Sequence, residues 1–192
     1  NYIAIHMIVR IFIVISFLFI LLLVGSYFLP STFTVTRSAT IKAGHNLVFP
    51  YVNNLKKWDL WTAWNKEKDP TLTLHFSAQT EGAGSVQTWE AKDLGNGKLT
   101  ITESFPLEGV KYDLIMGNKF HINGHIRLTP SDTDTNSTQV EWIQSGSMGS
   151  NPIFRYFGMF LDKWLGADME EGLTKLKTIV EQDAATRQTT SE

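Results

Sequence analysis

The chain has 192 residues, 43% hydrophobic and 19% charged, with a formal net charge of -2, which describes one ordinary globular core and excludes a disordered or collagen-like chain. There is no basic excess and no Lys/Arg stripe with interleaved aromatics, so nucleic acid is not an expected partner. Cysteine is absent, which removes disulfides, thiolate metal sites and cysteine nucleophiles and leaves the redox compartment open.

The first predicted element is "IFIVISFLFILLLVGSYFL", Ile11 to Leu29, a charge-free run close to the roughly 20 residues that cross a bilayer core as a helix. It reads as a single membrane span within an N-terminal segment of residues 1–30, ended by Pro30, with Tyr27 and Phe28 at headgroup depth. A cleaved signal peptide is the alternative, with small residues at Val24 to Ser26, although signal h-regions usually stop at about 7–15 residues. Arg10 before the run and Arg37 and Lys42 after it give almost no charge bias. The expectation carried forward is a single-pass protein with its folded domain outside the cytoplasm.

Past Pro30 the period becomes two. "FTVTRSATIKA" alternates as a strand through Phe33, Val35 and Ile41. "HNLVFPYVNNLKKWDLW" has helical spacing, and Pro50 must sit in a first turn or split the segment, so two short helices are expected. Six more strands follow in "TLTLHFSA", "GSVQTWEAK", "KLTITESF", "VKYDLIM", "KFHINGHIRL" and "STQVEWIQSGSM", separated by turn chemistry at Gly95 to Gly97, Met116 to Asn118 and "PSDTDTNS". After Pro152 the period is 3.6, with Ile153, Phe157, Phe160, Leu161, Trp164, Leu165, Leu173, Leu176 and Val180 in one broad apolar stripe to about Gln182. Residues 184–192 have nothing to bury and are expected to be a disordered tail.

This order predicts an α+β domain of residues 31–183 in which a curved antiparallel sheet buries one face under the final helix. Segments "VTRSATIKA", "VNNLKKWDLWTAW", "GAGSVQTWEAKDLGNGKLTITESFP", "VKYDL", "GHIRLTP", "TQVEWIQSG" and "NPIFRYFGMFLDKWLGADMEEGLTKLK" resemble the START-like helix-grip superfamily. The likeness is to the bacterial polyketide cyclase/dehydrase and lipid-transport group, including members with an N-terminal membrane helix. That resemblance implies a sheet wrapped incompletely around the long helix, and a hydrophobic cavity between them whose mouth lies near the short helices.

Half of the six tryptophans, Trp58, Trp61 and Trp64, fall within seven residues and share a side at helical or 3₁₀ spacing. Trp58 reads as core, whereas Trp61 and Trp64 are divided between core and a mouth that meets a ligand. Parity points Tyr112, Leu114 and Trp142 inward, and helical spacing aims Phe157, Leu161 and Trp164 at them, so these eight positions, Trp58 excepted, are the expected ligand site.

Candidates for catalysis are few. Parity puts Glu103 between Ile101 and Phe105 on the apolar face, where an unpaired carboxylate would titrate upward and serve as acid or base, with Gln144 as its polar neighbour. A structural bond at a strand end is the competing reading. His121 and His125 would chelate a metal on a helix, but on a strand they stand about 13 Å apart on the wet face. No "GxSxG" and no glycine-rich phosphate loop occurs, so no cofactor or metal is expected. The leading expectation is a membrane-anchored binding module for a lipid or other hydrophobic molecule. Its alternatives are a cyclase/dehydratase-like enzyme using Glu103, a protein-docking envelope domain, or a stress-response domain.

Overall fold

The computed structural model describes residues 2–117, 120–131 and 136–190. Helix α1 (Tyr2–Ser26) leads into β1 (Thr32–Ile41), the short helices α2 (His45–Asn53) and α3 (Leu55–Trp58), strands β2 (Thr73–Phe76), β3 (Val86–Glu90), β4 (Asn96–Phe105), β5 (Gly109–Met116), β6 (Phe120–Pro130) and β7 (Thr138–Ser147), and the long helix α4 (Pro152–Thr190). The strands form one antiparallel sheet in the order β1-β7-β6-β5-β4-β3-β2. Each consecutive pair from β2 to β7 is a hairpin neighbour, and β1 returns to flank β7. Inward residues Val35, Leu99, Ile101, Val110, Tyr112, Ile122, Ile126, Leu128, Val140 and Trp142 are buried, and α4 covers them with Met169, Leu173, Leu176 and Val180. This is the α+β arrangement that the order of elements predicts and the helix-grip form that the resemblance implies.

Several boundaries differ from the expectation, each for a local reason. Helix α1 stops at Ser26 instead of running to Pro30, because Ser26 Oγ donates back to Leu23 O and the amides of Tyr27 and Phe28 make tightened i→i−3 bonds. Pro50 lies inside α2 without ending it. The carbonyl it frees is that of Asn46, and both residues face water, where the lost bond costs little. At the other terminus α4 continues to Thr190 in place of a disordered tail. Its last turns are held by the i, i+4 ion pair of Arg187 with Asp183 (3.0 Å) and by Tyr51, whose hydroxyl donates to Asp183 (3.3 Å). Residues 191–192, together with part of the expected turns at Asn118 and in "PSDTDTNS", lie outside the described residues.

A β-bulge in β4 overturns the placement of Glu103. Ile101 pairs with Tyr112, but Glu103 pairs with Lys111, so one extra residue is inserted between them and parity reverses. Glu103 therefore points to solvent, where its carboxylate accepts from Lys111 Nζ at 2.8 Å, and Phe105 is exposed beside it. Gln144 has no part in that pair.

His121 and His125 point off the outer face of β6, which runs in unbroken register past Gly124. Among the described residues no group of three potential metal ligands converges. The His121→Ala/His125→Ala variant is expected to melt within a degree or two of wild type and to show unchanged metal content by elemental analysis; loss of a stoichiometric metal would contradict the strand geometry.

Candidate functional site

Trp58 and Trp61 pack where α2 ends, and their indoles perform a specific task there. Helix C-termini leave carbonyls without partners. Trp58 Nε1 donates to Val52 O (2.9 Å) and Trp61 Nε1 to Tyr51 O (3.1 Å), so both tryptophans cap the last turn of α2 with side chains. Their rings then continue an aromatic chain: Trp58 meets Trp61 (5.2 Å between centroids) and the edge of Tyr112 (5.2 Å), and Trp61 meets Trp142 (5.3 Å). Edge-to-face contacts of this kind add about 0.5–1.5 kcal/mol beyond burial. Trp64 stands apart, half-buried, with its Nε1 donating to Asp168 of α4 (2.9 Å) and its ring on Trp89 (6.1 Å).

Between this cluster, the inner face of the sheet and α4 lies a cavity of about 90 Å³. Its buried floor includes Trp58, Tyr112, Trp142 and Gln144, and its wall includes Leu99, Leu114, Ile122 and Met169. The partly exposed residues around it, Trp64, Leu74, Leu94, Met116, Leu165 and Asp168, form the rim. Water needs about 10–15 Å³ of such space, so the cavity has room for several waters, while a lipid-sized guest must spread the wall. Met116 and Met169 are the flexible side chains suited to that movement.

The cavity is mostly apolar but its polar groups are unusual. Tyr112 Oη accepts from Trp142 Nε1 (2.7 Å) and from the Gln144 amide (2.8 Å). Burial pushes the Tyr112 hydroxyl far above its ordinary range, and the two bonds only partly oppose this, so it stays protonated at any physiological pH. Among the described residues, three of the lining carry a buried polar atom with no partner: Gln144 Oε1, Gln87 Oε1 and Trp89 Nε1. Buried polar groups are nearly always paired, so two unpaired amide oxygens and one unpaired indole N–H around one cavity point to a guest that carries hydrogen-bonding groups. Among the described residues, the only carboxylate in the lining is Asp168, at the rim, held by Trp64 and by Lys68 Nζ at 2.6 Å.

Asp69 fastens the rim from behind. Fully buried, its carboxylate accepts from Thr71 Oγ1 (2.6 Å) and from the amides of Thr71 (2.9 Å), Asp93 (2.7 Å) and Leu94 (3.1 Å), clamping the loop after Trp64 to the loop that carries Leu94. The Thr71 hydroxyl, followed by the three amides, holds Asp69 well below the usual carboxylate range against the opposing effect of burial. A depressed pKa gives stability that is complete above the unfolded value and is lost as pH falls toward the folded one. Asp69→Asn should therefore melt several degrees lower than wild type at pH 7, and the gap should narrow progressively as pH falls below about 4. A gap unchanged across that range would show that the carboxylate charge is not what the clamp uses.

Of the eight expected site positions, Trp64, Tyr112, Leu114 and Trp142 line the cavity. Trp61 is packed behind it, fully buried against Trp142, and Leu161 is buried outside the lining. Phe157 and Trp164 are turned outward on α4, so the expectation that they face the inner sheet is corrected. The reason is one helical turn: Arg37 of β1 binds Asp162 (3.0 Å) and Glu170, and packs against Gly166, which rotates Leu165 and Met169 inward in their place. The sequence reading missed Gln87 and Trp89. Both sit on one face of β3 at i, i+2, the same Gln/Trp spacing as Trp142 and Gln144 in β7, and that repeated pairing was the available signal.

The family described as polyketide cyclase / dehydrase and lipid transport matches residues 32–181. Among solved structures, this chain is similar to a protein from Chromobacterium violaceum (14% identity, 77% of this chain and 96% of that one, TM-score 0.50). It is also similar to Ara h 8.0201 (12% identity, 78% and 97%, TM-score 0.56). A third likeness is to the di-domain ARO/CYC StfQ from the steffimycin biosynthetic pathway (13% identity, 80% and 52%, TM-score 0.58). At these identities the structural likenesses show the fold. No curated protein matches the sequence.

Proposed function

The chain belongs to the polyketide cyclase / dehydrase and lipid-transport family, and we propose that it is a membrane-anchored module that binds a lipid or other hydrophobic molecule bearing an uncharged polar group. The observation that carries this reading is the cavity itself: an apolar wall around the unpaired Gln144, Gln87 and Trp89 atoms, which suit a hydroxyl or carbonyl better than a free charge. Among the described residues no cation lies in the floor to neutralise a carboxylate or phosphate. The apolar helix α1 supports the anchor, since its 22 residues from Ile5 to Ser26 are long enough to span a bilayer and all but its C-terminal end is left uncovered by the described residues. In a cyclase-like reading the groups in reach are Tyr112, kept neutral, and Asp168, already paired at the rim. They can orient a guest, and the binding reading is preferred because Asp168 is already held by Trp64 and Lys68.

The test is mass spectrometry of solvent extracts from full-length protein purified in mild detergent, beside an unrelated single-span protein from the same membranes. One species enriched in near-stoichiometric amount supports the reading. Identical extracts from both proteins would remove it. We further propose that the folded domain lies on the extracytoplasmic side, so a Ser31→Cys variant of this cysteine-free chain should react with an impermeant maleimide in intact cells. Labelling only after lysis would place the domain inside, and appearance of the domain in the soluble fraction would show α1 to be a signal sequence.

A further inference from the structure

The start of α4 is apolar on a side that the fold leaves uncovered. Ile153, Phe157, Phe160 and Trp164 recur at helical spacing within an arc of about 60°, and they are 74%, 40%, 55% and 54% exposed. Trp164 gathers the stripe into one surface, with its ring 5.2 Å from Phe157 and 6.3 Å from Phe160. A contiguous exposed aromatic patch on a soluble face would be an aggregation liability, so it calls for an occupant.

The occupant follows from what the same turns touch. Tyr156 Oη donates to Leu22 O (2.8 Å) and Arg155 donates to Ser26 O (3.2 Å), so the first turns of α4 are bonded to the C-terminal end of α1. Arg155 also lies 5.9 Å over the ring of Tyr27, which with Phe28 is exposed just past α1. The sheet agrees with this placement. β1 begins six residues after α1 ends, and its first residues Thr32 and Phe33 pair with Ser147 and Gly146. Gly146 in turn pairs with Ile122, close to the end where Met116 meets Phe120 and Gly97. The end of α1, the stripe of α4 and the cavity residues Leu94, Met116 and Ile122 thus share one end of the domain. The stripe also leads into the rim, because Asp168 follows Trp164 by one turn on the same side.

We infer that the Ile153–Trp164 stripe docks on the bilayer surface beside the foot of α1, and that the rim of the cavity consequently faces the lipid. This rests on the membrane-anchored reading above and deepens it: the guest enters from the membrane without crossing water. Apolar aromatics on one side of a helix, with exposed Lys163 at the border and Asp162 turned away to Arg37, is the composition of a helix lying in the interface plane. A second copy or another protein would not need the stripe to be continuous with the end of α1.

The test uses the full chain in phosphatidylcholine/phosphatidylglycerol vesicles. Single-cysteine variants Phe160→Cys, Phe17→Cys in the middle of α1 and Thr40→Cys on an exposed strand position are labelled with an environment-sensitive fluorophore and quenched by lipids spin-labelled at shallow or deep acyl positions. The expected result is that the Phe160 probe is quenched best by the shallow label, the Phe17 probe best by the deep one, and the Thr40 probe by neither. A quenched Phe17 probe beside a Phe160 probe that stays as unquenched as Thr40 would overturn the docking while leaving the anchor intact. An unquenched Phe17 probe would overturn both. A Phe160 probe that is blue-shifted but unquenched would show protein covering the stripe in place of lipid, and would also overturn the proposal.

Discussion

Gly124→Val removes the floor of the cavity and is expected to be strongly destabilising. Gly124 of β6 stands opposite Tyr112 on one side and Gln144 on the other, and a Cβ placed on it would overlap the Tyr112 ring itself. The glycine is there because the ring lies flat across its backbone. A side chain would push Tyr112 away from Trp142 and Gln144, breaking both bonds to its hydroxyl and the edge contact with Trp58. Overpacked cores lose about 1–3 kcal/mol, and two stranded polar groups add about 1–3 kcal/mol each. Of a total stability of about 5–15 kcal/mol this is a large share. Chemical denaturation of Gly124→Val, Tyr112→Ala and the double variant checks the cause: the double variant should lose clearly less than the sum, since the clash disappears with the ring. Additive losses would mean that the ring is not what the glycine accommodates.

Leu114→Trp should abolish binding while costing little stability. Leu114 lines the cavity wall beside empty space, so the larger indole can enter volume that a guest would otherwise occupy. A fluorescent fatty-acid or hydroxylated polyaromatic probe should then lose at least tenfold in affinity, with a melting temperature within a few degrees of wild type. If the surrounding side chains instead close the cavity in solution, the substitution overpacks a solid core and costs about 1–3 kcal/mol. Marked destabilisation, together with no probe binding by wild type, would remove the binding-module reading.

The parts of this protein written in local periodicity were legible from the chain. Alternation in "VKYDLIM" and "TQVEWIQ" placed Tyr112, Leu114 and Trp142 on the inner face, and the structure puts all three around the cavity. The same logic identified the seven strands, the long closing helix and the apolar N-terminal helix, because period two, period 3.6 and an uninterrupted apolar run each follow from backbone geometry over a few residues. Glu103 escaped because a single bulge reverses the face of everything after it, and nothing in "ITESF" announces the inserted residue.

The rotation of α4 was decided only in three dimensions. Its first half is apolar around much of its circumference, so the sequence determines that something must be covered but leaves undecided which side meets the sheet. Arg37, more than a hundred residues earlier, settles it by binding Asp162 and Glu170 and fitting against Gly166. That contact sends Leu165 and Met169 inward and leaves Phe157 and Trp164 outside. The grouping of Gln87, Trp89 and Gln144 around one space likewise depends on strand order across the whole sheet, from β3 to β7. Local pattern determines which face of an element is apolar; long-range pairing determines which of those faces pack solidly, which enclose a cavity and which remain exposed.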